Sequence, residues 1–162
     1  MEYIVDGLNV IKTSFLKKYE KYGIESAQEF LINILERYKN KHSLVEITVV
    51  FDGKFNASLY QRRKIKIIFS NEKTADEKIR EILENKKNRS SISVVSDDRE
   101  VQEFTKILGS KSLRVDEFID IVYPIEKKQP INLNKDLKYK YKLEIEKELK
   151  NFYERKTKKI NK

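Results

Sequence analysis

Short, strongly apolar runs alternate along this chain with longer stretches whose apolar residues recur every three or four positions. Tyr3-Ile4-Val5 is the first short run, ended by Asp6-Gly7. From Ser26 to about Asn40 the spacing of Ala27, Phe30, Leu31, Ile34, Leu35 and Tyr38 predicts a helix, and Ser26 with Glu29 reads as a capping box at its start. Ile47 to Phe51 predicts a strand ended by Asp52-Gly53, and Ile65 to Phe69 another ended by Ser70-Asn71. Thr74 opens a second helix with Ala75, Ile79, Ile82 and Leu83 on one face. Ile92 to Val95 is a strand ended by Ser96-Asp97-Asp98. A third helix buries Val101, Phe104, Thr105 and Leu108, with Gly109 at its end. Leu113 to Val115 closes the series, followed by a helical turn through Glu117-Phe118-Ile119.

Strands alternating with helices imply βαβ units, hence a mainly parallel sheet covered on both faces: a three-layer α/β/α sandwich. In such sheets a ligand site lies beyond the carboxyl ends of the strands. The stretch from Tyr123 to Pro130 holds both prolines and reads as a linker or an excursion. Residues 131–162 carry eleven Lys/Arg against five Asp/Glu, a balance of +6. Leu137, Tyr141, Ile145, Leu149 and Phe152 give part of this tail an amphipathic helical period. The expected organisation is a domain over residues 1–122 and a linker with a basic helical tail over 123–162.

Composition removes several chemistries. There is no cysteine, so disulfides, thiolate zinc sites and a cysteine nucleophile are excluded, and a single histidine (His42) rules out paired-histidine acid–base work. No apolar run reaches the length of a membrane span, and Met1 leads directly into a strand, which points to a soluble cytoplasmic protein. The net charge of +9 favours an anionic partner, nucleic acid being the commonest.

Within this basic chain Asp6, Asp52, Asp76 and the Asp97-Asp98 pair fall at strand ends or helix starts. Clustered at one sheet edge, such carboxylates repel one another unless a cation is present, and an all-oxygen set suits a hard divalent ion. Each also has an ordinary structural explanation. Asp6 and Asp52 precede glycine, a turn signal; Asp97 with Glu100 reads as a capping box. Thr74 and Glu77 form another, which accounts for Glu77 but leaves Asp76 only the attraction of the helix dipole. Asn9 is either a turn residue or a group that holds water or a phosphate oxygen. Arg62, Arg63, Lys64 and Lys66 enter a strand as either a phosphate-tracking stripe or a solvated edge. Lys138, Lys140 and Lys142 interleave with tyrosines, a pattern suited to phosphate contact with base stacking.

Taken in order, Tyr3 to Ile11, Val49 to Gly53, Ile67 to Ser70 with Thr74-Ala75-Asp76-Glu77-Lys78-Ile79, and Val94 to Arg99 with Gln102 resemble the YacP-like branch of the NYN nucleases. Glu117-Phe118 extends the likeness, which runs over about residues 2–122. The resemblance implies a PIN-like α/β/α fold and an endoribonuclease dependent on Mg²⁺ or Mn²⁺. In this branch one characterised activity is cleavage of messenger RNA in association with the ribosome. By position Asp6, Asp76 and Asp98 fall on the family's acidic core, binding one or two divalent ions, while Asn9 and Asp52 fall on accompanying positions. Asp97 departs from the pattern, standing where a small or amide polar residue is usual, so it either adds a metal ligand or caps a helix. Asn71-Glu72-Lys73 lacks the glycine often found there. Arg99 and the basic residues named above are the expected RNA contacts. The alternative is a PIN-like module that docks RNA or a ribosomal surface without cutting it. A phosphatase with a second Asp two residues after the first is disfavoured by Leu8, and no Walker or GxGxxG sequence is present.

Overall fold

The computed structural model describes residues 1–54, 56 and 64–124. Five strands, β1 (Glu2–Asp6), β2 (Glu46–Phe51), β3 (Lys66–Phe69), β4 (Ile92–Val95) and β5 (Lys111–Leu113), form one sheet in the order β3-β2-β1-β4-β5. Every pairing is parallel, as the alternation requires. The first strand is therefore central, and the chain reverses its direction of travel across the sheet between β1 and β4. That reversal opens a crevice at the carboxyl ends of the two strands.

Five α-helices connect the strands: α1 (Gly7–Thr13), α2 (Ile24–Lys41), α3 (Ala75–Glu84), α4 (Arg99–Ile107) and α5 (Val115–Val122). Alternation along the strands divides the core. Ile4, Val50, Ile92 and Val94 point to one face and pack on Ala75, Ile79 and Leu83 of α3 and Val101 and Phe104 of α4. Tyr3 points to the other face, its ring 5.2 Å from that of Phe118 in α5, where α1 and α2 also pack. Helices thus cover both faces of the sheet.

Asp6-Gly7 and Asp52-Gly53 look alike in sequence but differ in structure. Gly53 has φ +94 and makes a turn after β2. Gly7 makes no turn; it is the first residue of α1, and a Cβ there would run into the ring of Phe51, which is fully buried. We expect Gly7→Ala to cost about 1–3 kcal/mol through overpacking. Equilibrium denaturation checks this, and an unchanged midpoint would show that the ring can move aside.

Four local expectations change. Ser26 and Glu29 form no capping box: α2 starts earlier, at Gly23 as N-cap without a side-chain bond, and the Ser26 hydroxyl donates to the Tyr22 carbonyl instead. The helix after β4 is capped by Asp98 rather than Asp97, its Oδ1 accepting from Glu100 and Val101. The last strand ends at Leu113, because Val115 is captured as the first residue of α5, its N–H bonded to Asp97 Oδ1 at 3.1 Å. A 3-10 helix, Phe15–Tyr22, occupies a stretch with no expected element and buries Leu16 and Tyr19, one three-residue turn apart. The Thr74–Glu77 box forms as expected. Asn71 takes the left-handed conformation (φ 58), which asparagine tolerates, and its N–H bonds the Gly53 carbonyl.

Candidate active site at the carboxyl ends of the central strands

Asp6 ends the central strand and is 5% exposed. Asp52 follows its neighbour β2, and Ser96-Asp97-Asp98 follows its other neighbour β4, so three adjacent strands deliver acids to one edge. Asp76 joins them from the first turn of α3.

Nearly all of these carboxylates cap helices. Asp6 Oδ1 accepts from Asn9 N–H at 3.0 Å and caps α1. Asp52 Oδ1 accepts from Ala75 N–H at 2.8 Å, tying the end of β2 to the start of α3. Asp98 caps α4, and Asp97 receives the first N–H of α5. Helix N-termini attract negative charge, so each acid is partly accounted for by its cap. A capping carboxylate commits only part of its acceptor capacity. The second oxygens of Asp52, Asp97 and Asp98 have no hydrogen bond among the described residues.

Asp76 is different. Among the described residues its side chain has no hydrogen bond and no ion pair, although it is half-buried. Burial raises its pKa, and the nearby charges of Asp98, Asp52, Glu100 and Glu77 raise it further. Asp6 is pushed up to about 6, chiefly by burial; the bonds from Asn9 and Ser96 pull the other way, while Asp76 and Asp52 add repulsion. The mutual repulsion shows that Asp6, Asp52, Asp76 and Asp98 share one locality.

Asn9 is held at both ends. Its N–H serves Asp6, and its Oδ1 accepts from Asp97 N–H at 2.9 Å, joining α1 to the loop after β4. The Asn9 Nδ2 group is left to donate. Arg99 begins α4, exposed beside Asp98. Lys66 lies at the amino end of the edge strand β3, and Lys64 is engaged with α2, its Nζ 2.6 Å from Asn40 Oδ1 and its N–H on Glu36. The structure does not bring Lys64 to the acidic edge. Arg62, Arg63, Lys138, Lys140 and Lys142 lie outside the described residues, as does the tail. Two contributors escaped sequence reasoning: Glu100, whose charge faces Asp76, and Ser96, whose hydroxyl bonds Asp6. The signals for Ser96 were a small polar residue directly after a buried strand and its place in the run from Val94 to Arg99 that carries the family resemblance.

The donor set suits a hard divalent ion: it is all oxygen, and the Asp76 carboxylate is unpartnered among the described residues. Among the described residues no three carboxylates converge tightly enough to form a ready-made cage. Mg²⁺ does not demand one, since it keeps several waters and binds through one or two carboxylates plus substrate phosphate. The residues therefore fit such an ion. No helix among the described residues is long and apolar enough to cross a membrane.

A search of curated protein sequences finds no match. Solved structures share the fold, two of which are crystal structures of the same protein. The chain is 27% identical to Rae1 (YacP) from Bacillus subtilis in its W164L mutant form, with a TM-score of 0.66 over 78% of this chain and 77% of that one. Against another crystal structure of Bacillus subtilis Rae1 (YacP) the identity is 24% and the TM-score 0.65, covering 95% of this chain and 92% of that one. The family model described as YacP-like NYN domain matches residues 3–162, and the chain belongs to that family of PIN-like nuclease domains.

Proposed function

We propose that this protein is an endoribonuclease that hydrolyses RNA phosphodiesters with Mg²⁺ or Mn²⁺, acting in the cytoplasm on messenger RNA, with the ribosome as a partner in that cleavage. The observation that carries the reading is Asp76, a half-buried carboxylate that faces other acids and, among the described residues, has no donor or cation of its own. A group kept in that position costs stability unless something positive completes it. Asp6, Asp76 and Asp98 are the residues that would hold the ion, with Asp52 beside them. Bound there, a divalent ion supplies an acidified water and offsets the charge that develops on phosphate and leaving oxygen.

The chain's own groups position the substrate. Asn9 Nδ2, with its Oδ1 already committed to Asp97, is oriented to donate to a phosphate oxygen or a water. Arg99 at the rim offsets repulsion between a polyanion and an acidic pocket. Asp97 is engaged as the acceptor for α5, so we assign it to fixing the loop ahead of metal binding. Lys64 and Lys66 are proposed RNA contacts away from the reacting phosphate, and Arg62, Arg63, Lys138, Lys140 and Lys142 remain proposed RNA contacts.

The rival reading, an RNA- or ribosome-docking module that does not cut, draws on the absence of a ready-made three-carboxylate cage among the described residues. The two are separated by incubating free and ribosome-bound messenger RNA with the protein, with and without Mn²⁺, and mapping the ends produced. The expected result is new internal ends that require the metal and vanish with chelator and in Asp6→Asn. Undiminished cleavage by the pure protein in excess EDTA would refute the metal mechanism. RNA bound but never cut, at any metal concentration, would favour the docking module.

A further inference from the structure

Ser96 is the most fully constrained polar residue in the site. It is 1% exposed, and each of its polar groups is committed. Its N–H donates to the Leu113 carbonyl at 3.3 Å, and its carbonyl accepts from Gln102 Nε2 at 2.9 Å. Its hydroxyl lies 3.1 Å from Asp98 N–H and 3.2 Å from Asp6 Oδ2. The backbone N–H of Asp98 can only donate, so the hydroxyl oxygen accepts there, and its single proton is directed to Asp6. Asp6 then has one donor on each oxygen, Asn9 N–H on Oδ1 and Ser96 on Oδ2. Two donors from different elements fix the plane of a carboxylate as one cannot. One lone pair on each oxygen remains for a ligand.

We propose that Ser96 is a positioning residue of the metal site: its hydroxyl sets the plane of Asp6 and holds the Asp98 turn against it. Two carboxylates from neighbouring strands thereby meet a divalent ion in a geometry fixed before the ion arrives. Gln102 serves the same end by holding the Ser96 carbonyl from within α4. Groups that orient metal ligands from behind typically change affinity or activity by about 10- to 100-fold when removed.

The inference rests on the metal reading, and the experiment separates the two. Calorimetric titration of the full chain with Mn²⁺ is run on wild type, Ser96→Ala, Asp6→Asn and the double variant, each with a thermal melt to confirm folding. Expected is a roughly 10- to 100-fold weaker Mn²⁺ affinity in folded Ser96→Ala, with little further loss when the change is made on top of Asp6→Asn. Ser96→Thr, which keeps the hydroxyl, should recover most of the affinity. If Ser96→Ala melts too low to assay, Ser96→Cys, which weakens the donor at similar volume, replaces it with the same expectation. Folded Ser96→Ala that binds Mn²⁺ as wild type does overturns the positioning role and leaves the metal site standing. Equal, additive losses in the two backgrounds overturn the route through Asp6. A wild-type protein that takes up no Mn²⁺ overturns the metal reading and this role with it.

Discussion

Asp76→Asn should abolish RNA cleavage, by about a hundredfold or more, while leaving the metal-free protein as stable as wild type or slightly more so. A loss of that size is the upper end of what even supporting groups behind a metal cost, and Asp76 is proposed to touch the ion directly. The stability half follows from its surroundings: Asp76 is the one site acid without a cap to make, and its neighbours repel it. Removing its charge relieves that repulsion. Were Asp76 only an acid in the first turn of α3, its neutralisation would cost up to about 1 kcal/mol and leave activity alone. Thr74→Ala is the matched control. The Thr74 hydroxyl accepts from Glu77 N–H at 3.2 Å, so losing it should cost roughly 0.5–2 kcal/mol and change Mn²⁺ affinity less than Asp76→Asn does. Paired melts without metal and cleavage rates at saturating Mn²⁺ decide the matter. An Asp76→Asn protein that melts lower yet cuts at the wild-type rate would return Thr74-Ala75-Asp76-Glu77 to an ordinary helix start.

The alternation of apolar runs and helical periods was enough to read a parallel α/β sheet from the chain, because strands buried on both faces are mostly apolar rather than alternating, as β1, β2 and β4 are. It could not order them. That β1 is central follows from where the crossovers fold back, which no single segment encodes. Local signals misled where tertiary contact outweighed them. Ser26–Glu29 has the spacing of a capping box, but α2 already begins at Ile24, and the spacing is spent inside a helix. Asp6-Gly7 reads as a turn, yet its glycine answers to the ring of Phe51, which lies far along the chain.

The site was legible as acids at strand ends and helix starts, but sequence sets capping and ion binding against each other as explanations. The structure shows why that opposition is too sharp. Asp6, Asp52, Asp97 and Asp98 each spend part of a carboxylate on a helix N-terminus. The caps hold their acids in place, and each carboxylate keeps acceptor capacity beyond its cap. The role of Ser96 was illegible for a related reason: Asp98 and Gln102 lie close to it along the chain, but Asp6 is brought alongside only by the pairing of β1 with β4.

Metal-free Asp6→Asn should be more stable than wild type at neutral and alkaline pH, with the difference closing as the pH falls. Burial and neighbouring acids lift the Asp6 pKa from an ordinary 3.8 to about 6. Between those values the folded protein holds a proton that the unfolded chain releases. The stability this group contributes is therefore fully present below about pH 4 and is lost as pH rises through 6. A rise of roughly two pH units corresponds to about 3 kcal/mol at most, and the neutral asparagine carries no such penalty. Asparagine is also a good N-cap, so the bond to Asn9 N–H survives the change. Asp76 titrates in the same direction and repels Asp6, so the relief of that repulsion is part of the same difference. Mn²⁺ should reverse the ranking. A ligand at a hundred times its Kd stabilises the form that binds it by about 2.7 kcal/mol, and only wild type is expected to gain this. Melts from pH 4 to 8, with and without Mn²⁺, give the whole pattern. If Asp6→Asn is the less stable protein at pH 8 without metal, and the gap does not change with pH, Asp6 is simply a satisfied cap.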